Sequence, residues 1–244
     1  MSNETNDQLV LVSGFSGTGK SASLRNIRNQ ERWLYNNTEA GKRLPFANKF
    51  LNKRISDPYE VLGYFDQAIE NKDKLDGIIT DSITFLMEMY ESKYVLGSND
   101  TQKAWGNFAQ YFKELMQDKV VLWGKPTIFT AHLLDKLDTV KHEMKTEVPI
   151  KGALKNNGIE AYFSTVVSTK RVSLLELEKY GSDLLTITDE DRELGFKHVF
   201  QTRITKETTG ERIRAPMGMF TREQTYIDND CQLLLDHLTK FYAG

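Results

Sequence analysis

One short motif constrains this chain more than any other feature of its sequence. It follows the apolar run Leu9–Val12 and reads Gly14-Phe15-Ser16-Gly17-Thr18-Gly19-Lys20-Ser21. This is the phosphate-binding P-loop pattern G-x-x-x-x-G-K-[ST], which requires a strand before it and a helix after it. The alternative is an ordinary glycine-rich turn, and the apolar strand before the motif and the helix-compatible residues after it argue against that alternative. The chain is therefore predicted to bind a nucleoside triphosphate.

The residues from Gly14 to Ala22 are the predicted nucleotide contacts. Glycines let the backbone fold tightly around phosphate oxygens, so that successive N–H groups point inward. Lys20 is expected to reach the β- and γ-phosphates, and the Ser21 hydroxyl to ligate Mg²⁺. A helix predicted from Lys20 to Asn29 would add the positive end of its dipole. ATP and Mg²⁺ are therefore the expected cofactors.

Length and composition indicate one globular domain. A chain of 244 residues suits a single large α/β domain, which we place at residues 9–244 behind a polar, disordered tail at Met1–Gln8. No apolar run approaches the length of a membrane span, and Cys231 is the single cysteine, so an intramolecular disulfide is excluded. We expect a cytoplasmic protein.

Strands alternate with helices through most of the chain. The predicted strands before residue 160 are 33–35, 77–81 and 126–130, and the predicted helices start at Asp57-Pro58, follow Asp81, and cover Thr101–Lys119. This alternation indicates a mostly parallel sheet with helices on both faces.

The pattern changes beyond Tyr162. Short strands are predicted at 163–170, 172–177, 197–204 and 211–215, with Thr208-Thr209-Gly210 closing a hairpin between the last two. An amphipathic helix is predicted at 227–242. The predicted fold class is therefore α/β, a P-loop NTPase core with an antiparallel C-terminal extension.

Two carboxylates stand where an NTPase needs them. Asp81 ends an apolar strand, and because parallel strands converge at their carboxyl ends, it should share one crevice with the P-loop. There it would help to bind Mg²⁺, although an acid at this position could also cap the following helix. Glu39 lies just past the strand after the P-loop segment, where a carboxylate can orient and deprotonate the water that attacks the γ-phosphate.

His132 ends another central strand, after Phe129-Thr130-Ala131. A polar side chain there can sense the γ-phosphate and pass its presence to the loop that follows. The alternative is a histidine with satisfied hydrogen bonds near the edge of the sheet. Spacing alone leaves both interpretations open.

The order of these features resembles the RecA-type recombinase core. Its successive strands end in the P-loop, in Thr38-Glu39, in Asp81-Ser82 and in Thr130-Ala131-His132. In particular the chain resembles the short phage-encoded RecA-core proteins of single-strand DNA annealing and recombination, over nearly its whole length. The resemblance implies that Glu39 activates water and that His132, where this family usually has glutamine, is the nucleotide sensor.

The resemblance also implies a DNA-binding loop and an assembly. The segment after the sensor, residues 133–162, would contact single-stranded DNA through Lys151, Lys155, Asn156 and Asn157. Filaments of this kind send basic residues of the next subunit into the ATP site, which here implies Arg203 and Lys206. The implied assembly is a homo-oligomer, a filament or ring with ATP at the subunit interface. We expect neither the N-terminal extension nor the separate C-terminal DNA-gathering domain of recombinases.

The leading interpretation is a Mg²⁺-ATP-dependent ATPase that binds single-stranded DNA in recombination, annealing or repair. ATP would order the 133–162 loop over DNA, and hydrolysis would release it. Two alternatives from other classes stay open. One is a P-loop small-molecule kinase, which needs an acceptor site and an arginine-bearing lid. The other is a nucleotide-gated interaction module that recruits a replication or packaging partner.

Overall fold

The computed structural model describes residues 6–139, 142–156 and 158–244, without the side chain of Asn156. The strands in these residues are Leu9–Gly14 (β1), Trp33–Asn37 (β2), Leu51–Arg54 (β3), Gly77–Asp81 (β4), Thr127–His132 (β5), Leu134–Asp138 (β6), Glu143–Glu147 (β7), Thr165–Ser173 (β8), Phe196–Gln201 (β9) and Tyr226–Asp228 (β10). One eight-stranded sheet has the order β10-β9-β8-β1-β5-β4-β2-β3, and β6 and β7 form a separate two-stranded ribbon.

Most neighbours in the large sheet are parallel. β1 lies between β5 and β8, β4 lies between β5 and β2, and β3 is parallel to β2 at one edge. β9 pairs antiparallel with β8, and β10 pairs antiparallel with β9. The predicted fold class is therefore confirmed, because a mostly parallel P-loop core carries antiparallel strands toward its C-terminus.

Helices cover both faces of the sheet. In the described part of the chain the α-helices are Pro58–Glu70 (α1), Ile83–Tyr90 (α2), Thr101–Lys113 (α3), Val120–Trp123 (α4), Leu174–Leu177 (α5), Asp189–Leu194 (α6) and Cys231–Tyr242 (α7). α1 begins where the sequence predicts it, since the Asp57 carboxylate accepts the N–H of Tyr59. π-Helical turns at Glu91–Val95 and Glu114–Lys119 extend α2 and α3. No helix within the described ranges is both long enough and apolar enough to cross a membrane.

The core consists of one apolar layer on each face of the sheet. Successive residues of β1 alternate between them: Leu9 and Leu11 join the layer under α1–α4, while Val10 and Val12 join the layer under α7. The first layer holds large aromatic side chains, and Phe129 and Phe163 meet in it with ring centroids 5.4 Å apart. Because β1 is covered on both faces, its carboxyl end is held rigidly where the P-loop begins.

The prediction of a helix after the P-loop is wrong. Residues Ser21–Leu24 form only a short 3₁₀ turn, and the chain then continues through turns to a second 3₁₀ turn at Gln30–Arg32. The cause is a tertiary contact, because the start of α7 contacts polar groups of this segment. The Ser23 Oγ lies 3.1 Å from the Cys231 Sγ, and the Arg28 N–H donates to Gln232 Oε1 at 2.9 Å. Helix propensity is a weak preference that such contacts override.

Three predictions for the C-terminal third also need correction. The strand at 172–177 ends at Ser173, whose hydroxyl accepts the N–H of Glu176 and starts α5. Residues 211–215 form no strand, so the hairpin is wrong: Thr146 and Val166 make isolated bridges to Glu211 and Arg214 instead. The last helix begins at Cys231 rather than residue 227, because residues 226–228 pair with β9 and Asp230 caps the helix.

Two structural features have no counterpart in the sequence-based prediction. β3 forms the outer edge of the sheet, and the β6–β7 ribbon occupies the segment expected to be a loop. Part of the predicted tail lies outside the described residues, but the amide of Asn6 donates to the Lys125 carbonyl and that of Gln8 donates to the Thr239 hydroxyl. The chain is thus tied to the domain from Asn6 onward.

Candidate nucleotide-binding site

Four parallel strands end at the same edge of the sheet. Gly14 of β1 pairs in register with His132 of β5, and Asn37 of β2 pairs with Asp81 of β4. A cavity of about 860 Å³ opens at this edge. Its lining includes most of the predicted site, namely Ser16, Gly17, Gly19, Lys20, Ser21, Ala22, Glu39, Asp81 and His132. The structure therefore brings the P-loop and the three predicted polar strand ends into one crevice.

Lys20 is the buried cation of this crevice. Only 6% of the residue is exposed, and its Nζ donates to the carbonyls of Gly14 and Phe15, each at 2.9 Å. Burial lowers the pKa of the Lys20 ammonium to about 8, against the opposing effect of the nearby Asp81 and Glu39 carboxylates. An ammonium that has lost much of its hydration gains strongly from a multiply charged anion, so the donor set fits a triphosphate.

Nucleotide affinity is expected to fall as pH rises above about 8, because Lys20 then loses its proton in the nucleotide-free protein. The loss should approach about tenfold per pH unit until the lysine of the complex also titrates. Titration of a fluorescent, non-hydrolysable ATP analogue between about pH 7 and about pH 9.5 measures it. The matched control is Lys20→Ala, whose residual affinity should be insensitive to pH over this range. Equal affinity of the unaltered protein across the range would contradict the prediction.

Asp81 is a buried carboxylate held by two hydroxyls. It is 2% exposed; the Tyr35 hydroxyl donates to Oδ2 at 2.8 Å, and the Thr130 hydroxyl donates to Oδ1. This environment also raises the pKa of the Tyr35 phenol above its usual range, first through burial and then through the Asp81 charge. The described residues contain no cluster of three or more side chains suited to hold a metal ion. Mg²⁺ in NTPases takes few protein ligands besides phosphates and waters, and the Ser21 hydroxyl and Asp81 carboxylate fit that arrangement.

Glu39 and His132 are in direct contact. The His132 Nε2 lies 3.4 Å from Glu39 Oε1, while the ammonium of Lys42 lies 3.1 Å from the other carboxylate oxygen. The hydrogen bond from His132 is the main factor that holds the pKa of Glu39 below its usual value, partly opposed by burial. Glu39 is therefore ionised at neutral pH and able to accept a proton. The two interpretations of His132, a γ-phosphate sensor and a histidine with satisfied hydrogen bonds, are therefore compatible. Its hydrogen bond is to Glu39, the predicted water-activating acid.

The segment predicted to bind DNA begins at this contact. The Leu133 N–H donates to the Gly14 carbonyl at 3.1 Å, and the β6–β7 ribbon starts at the next residue. Lys151 lies farther along the segment, with its ammonium 2.8 Å from both carboxylate oxygens of Glu91. Lys155 is exposed and makes no ion pair with any described residue. Asn157 and the side chain of Asn156 lie outside the described residues.

Lys151 and Lys155 line a second, smaller cavity of about 330 Å³. Its apolar walls include Trp105, whose ring packs edge-to-face on Phe108 with centroids 5.6 Å apart. Tyr162 packs on Phe112 in the same manner, at 5.2 Å. The lysines predicted to bind DNA therefore share one surface of the segment that leaves the nucleotide crevice at His132.

Arg203 and Lys206 lie outside the nucleotide crevice of their own chain. β9 starts at Phe196, which lines the crevice, and runs antiparallel to β8, so it carries the chain away from the P-loop. The Arg203 guanidinium donates to the Phe220 carbonyl at 2.7 Å, and Lys206 begins a short 3₁₀ turn. Action of either residue in the site of a neighbouring subunit stays a prediction.

The opposite wall of the crevice has no counterpart among the predicted site residues. It is built by α6 with its cap residue Thr188, by the start of β9, and by the end of β10 with the residue after it. The residues of the last two groups are Phe196, Lys197, His198, Asp228 and Asn229. Lys197 forms ion pairs with Asp191 and Asp228, at 3.1 and 3.4 Å. These residues carry no motif, and the sequence contains no signal that would have singled them out.

A protein-family comparison matches residues 6–199 to the family described as AAA domain. No curated protein matched the chain. The family match spans well over half of the 244 residues and includes the P-loop, Glu39, Asp81 and His132. It confirms the prediction of a P-loop NTPase core, while the resemblance to phage annealing proteins stays a prediction.

Proposed function

The chain belongs to the AAA domain family of P-loop NTPases, and we propose that it is a Mg²⁺-dependent ATPase that binds single-stranded DNA and acts in its recombination, annealing or repair. One observation carries the proposal. The Glu39–His132 contact lies in the nucleotide crevice, and the segment with the proposed DNA-binding lysines leaves the sheet directly after His132. A change in the contacts of His132 at the γ-phosphate position can thus pass directly to the proposed DNA-binding segment, which begins at the next residue.

The polar groups of the crevice support three separate roles in hydrolysis: phosphate binding, Mg²⁺ binding and activation of water. The P-loop N–H groups and the Lys20 ammonium would hold the phosphates, and Ser21 with Asp81 would hold Mg²⁺, which supplies charge neutralisation on the phosphate oxygens when bound. Glu39 is ionised, half-buried and oriented by Lys42 and His132, so it can take the proton of an attacking water.

His132 supports the proposed coupling between nucleotide and DNA. Its ring contacts Glu39 on one side and the ring of Phe85 edge-to-face on another, with centroids 5.4 Å apart. Its backbone is held separately, since the His132 N–H donates to the Thr84 hydroxyl at 2.9 Å. The side chain can therefore exchange Glu39 for a phosphate oxygen without moving β5, and only the residues after it need respond. Two sites linked in this way influence each other's affinity reciprocally.

The experiment that tests the proposed function is the steady-state ATPase rate with Mg²⁺, without and with single-stranded DNA, over a range of salt concentrations. DNA is expected to stimulate the rate, and salt to suppress the stimulation because counterions compete for phosphate contacts. The double variant Lys151→Ala, Lys155→Ala should make the negative slope of log DNA affinity against log salt shallower by about 1.4, the value expected when two lysines no longer neutralise phosphates of a single strand.

Lys240→Ala is the matched control for this experiment, since Lys240 is an exposed lysine near the end of α7. It should leave both the stimulation and the salt slope unchanged. Lys155→Ala alone should have a larger effect than Lys151→Ala alone, because Lys151 must first leave Glu91. A rate indifferent to DNA would overturn the DNA-binding part of the proposal and favour a small-molecule kinase or a nucleotide-gated interaction module.

A further inference from the structure

The P-loop of this chain is not held by a long following helix. The Ser21–Leu24 turn is four residues long, and no α-helix begins before α1 in the described residues. Glycines give the loop itself little rigidity, and Gly17 and Gly19 have φ values of 78° and 103°, which are open mainly to glycine. Local bonds hold part of the loop: Lys20 Nζ donates to the carbonyls of Gly14 and Phe15, and the Ser23 N–H donates to the Gly19 carbonyl at 3.0 Å. Contacts from elsewhere in the fold add to them.

Two side chains from distant parts of the chain donate hydrogen bonds to carbonyls of the loop. The His198 Nδ1–H donates to the Thr18 carbonyl, and the Asn229 Nδ2 donates to the Gly19 carbonyl, each at 3.0 Å. In a trans peptide the carbonyl and the following N–H point in opposite directions. These two bonds therefore fix the directions of the Gly19 and Lys20 N–H groups, away from His198 and Asn229. Those N–H groups are part of the set that contacts phosphate in this motif.

The contact between Asn229 and the loop is close. A Cβ atom on Gly19 would lie 2.5 Å from Asn229 Nδ2, so the amide sits directly on the loop backbone. The Asn229 Oδ1 is buried and has no hydrogen-bond partner among the described residues. A buried acceptor without a donor is unfavourable for the free energy of folding. The other half of the amide, Nδ2, holds the Gly19 carbonyl.

Asn229 is itself held in place by the docking of α7. The next residue, Asp230, caps α7 through one carboxylate oxygen and accepts the Asn26 amide on the other at 2.5 Å. Cys231 and Gln232 contact Ser23 and the Arg28 backbone, as described above. α7 thus packs on the segment that follows the P-loop, and Asn229 extends from this contact to the loop itself. Asn229 and α7 lie beyond residue 199, where the family match ends.

We propose that His198 and Asn229 are positioning residues that fix the P-loop backbone in its phosphate-binding conformation, in place of a long following helix. They act through the carbonyls of Thr18 and Gly19. The proposal rests on the proposed nucleotide binding. It makes nucleotide affinity depend on a segment outside the matched family region.

The test compares Asn229→Asp with the control Lys240→Ala. An aspartate has the shape of asparagine but no donor for the Gly19 carbonyl, whereas Lys240 is an exposed residue near the end of the same helix. One readout is hydrogen exchange of the amides of residues 14–21 in the nucleotide-free protein. The other is the dissociation constant of a non-hydrolysable ATP analogue. Asn229→Asp should speed exchange in the loop and weaken binding by about tenfold, in line with one hydrogen bond and an added negative charge.

His198→Ala should give the same pattern, and the double variant should exceed either single variant. Asn229→Ala, which adds no charge, should weaken binding by about fivefold. Unchanged loop exchange together with unchanged affinity in Asn229→Asp would overturn the proposal, as would equal effects in Lys240→Ala. If the unaltered protein does not bind the analogue, the proposed function fails, while loop exchange in the nucleotide-free variants still decides whether the two residues position the loop.

Discussion

Replacing Lys20 by alanine is expected to weaken ATP binding by about 100-fold, which is the effect of losing two charge-assisted hydrogen bonds. The ammonium is already desolvated in the crevice, so its interaction with phosphate is not weakened further by loss of water. Isothermal titration with a non-hydrolysable ATP analogue measures the change. The substitution also leaves the buried Asp81 carboxylate without this nearby cation, so the stability of the variant has to be measured beside its affinity.

The matched control is Lys49→Ala. Lys49 is an exposed lysine that does not line the crevice, so its loss should leave the affinity within about twofold of the unaltered protein. A thermal unfolding curve for each variant separates lost binding from lost fold. Retention of full affinity by a folded Lys20→Ala protein would contradict the assignment of the phosphate site to this loop.

Glu39→Gln is expected to lower the turnover number for ATP by a factor of about 10² to 10⁴ while the dissociation constant for ATP stays nearly unchanged. The amide keeps the shape of the carboxylate and can still contact His132 and Lys42, but it cannot accept a proton from water. Single-turnover hydrolysis and analogue binding, measured on the same preparation, separate the two effects.

Glu31→Gln provides the control, since Glu31 is an exposed glutamate in the Gln30–Arg32 turn. It should hydrolyse ATP at the rate of the unaltered protein. Undiminished hydrolysis in Glu39→Gln would remove Glu39 from the mechanism and leave Asp81 as the other predicted acid of the crevice. A parallel loss of ATP binding would instead assign Glu39 to ligand binding rather than to the chemical step.

The sequence was most informative where local pattern and tertiary position agree. β4 is the strand predicted at Gly77–Asp81, because an apolar run that ends in an acid is distinctive in a buried parallel strand. The P-loop, Glu39, Asp81 and His132 lie in one crevice because the ends of parallel strands meet at one edge of a sheet. The pattern of buried parallel strands therefore predicts the fold class, and the convergence of their ends predicts which of these residues line the crevice.

The sequence was least informative where distant segments meet. Residues 23–28 form turns where a helix was predicted, because they contact α7. Local helix propensity does not depend on such a distant contact, so it could not predict the turns. His198 and Asn229 are joined to the P-loop across 180 and 210 positions of sequence. Neither belongs to a motif, so only the folded chain reveals them. The same holds for the Glu39–His132 contact, whose members were each predicted but not as a pair.

The position of β1 has a consequence for how the protein is made. β1 is synthesised before the other strands, yet its neighbours in the sheet are β5 and β8, with Leu9 opposite Thr127 and Val10 opposite Thr165. Until those strands leave the ribosome, the apolar run before the P-loop has no partner and is exposed to aggregation or to chaperones. Asn229 emerges later still, so a nascent chain cannot complete the loop. The bond from Asn229 to the loop can therefore form only after residue 229 has left the ribosome.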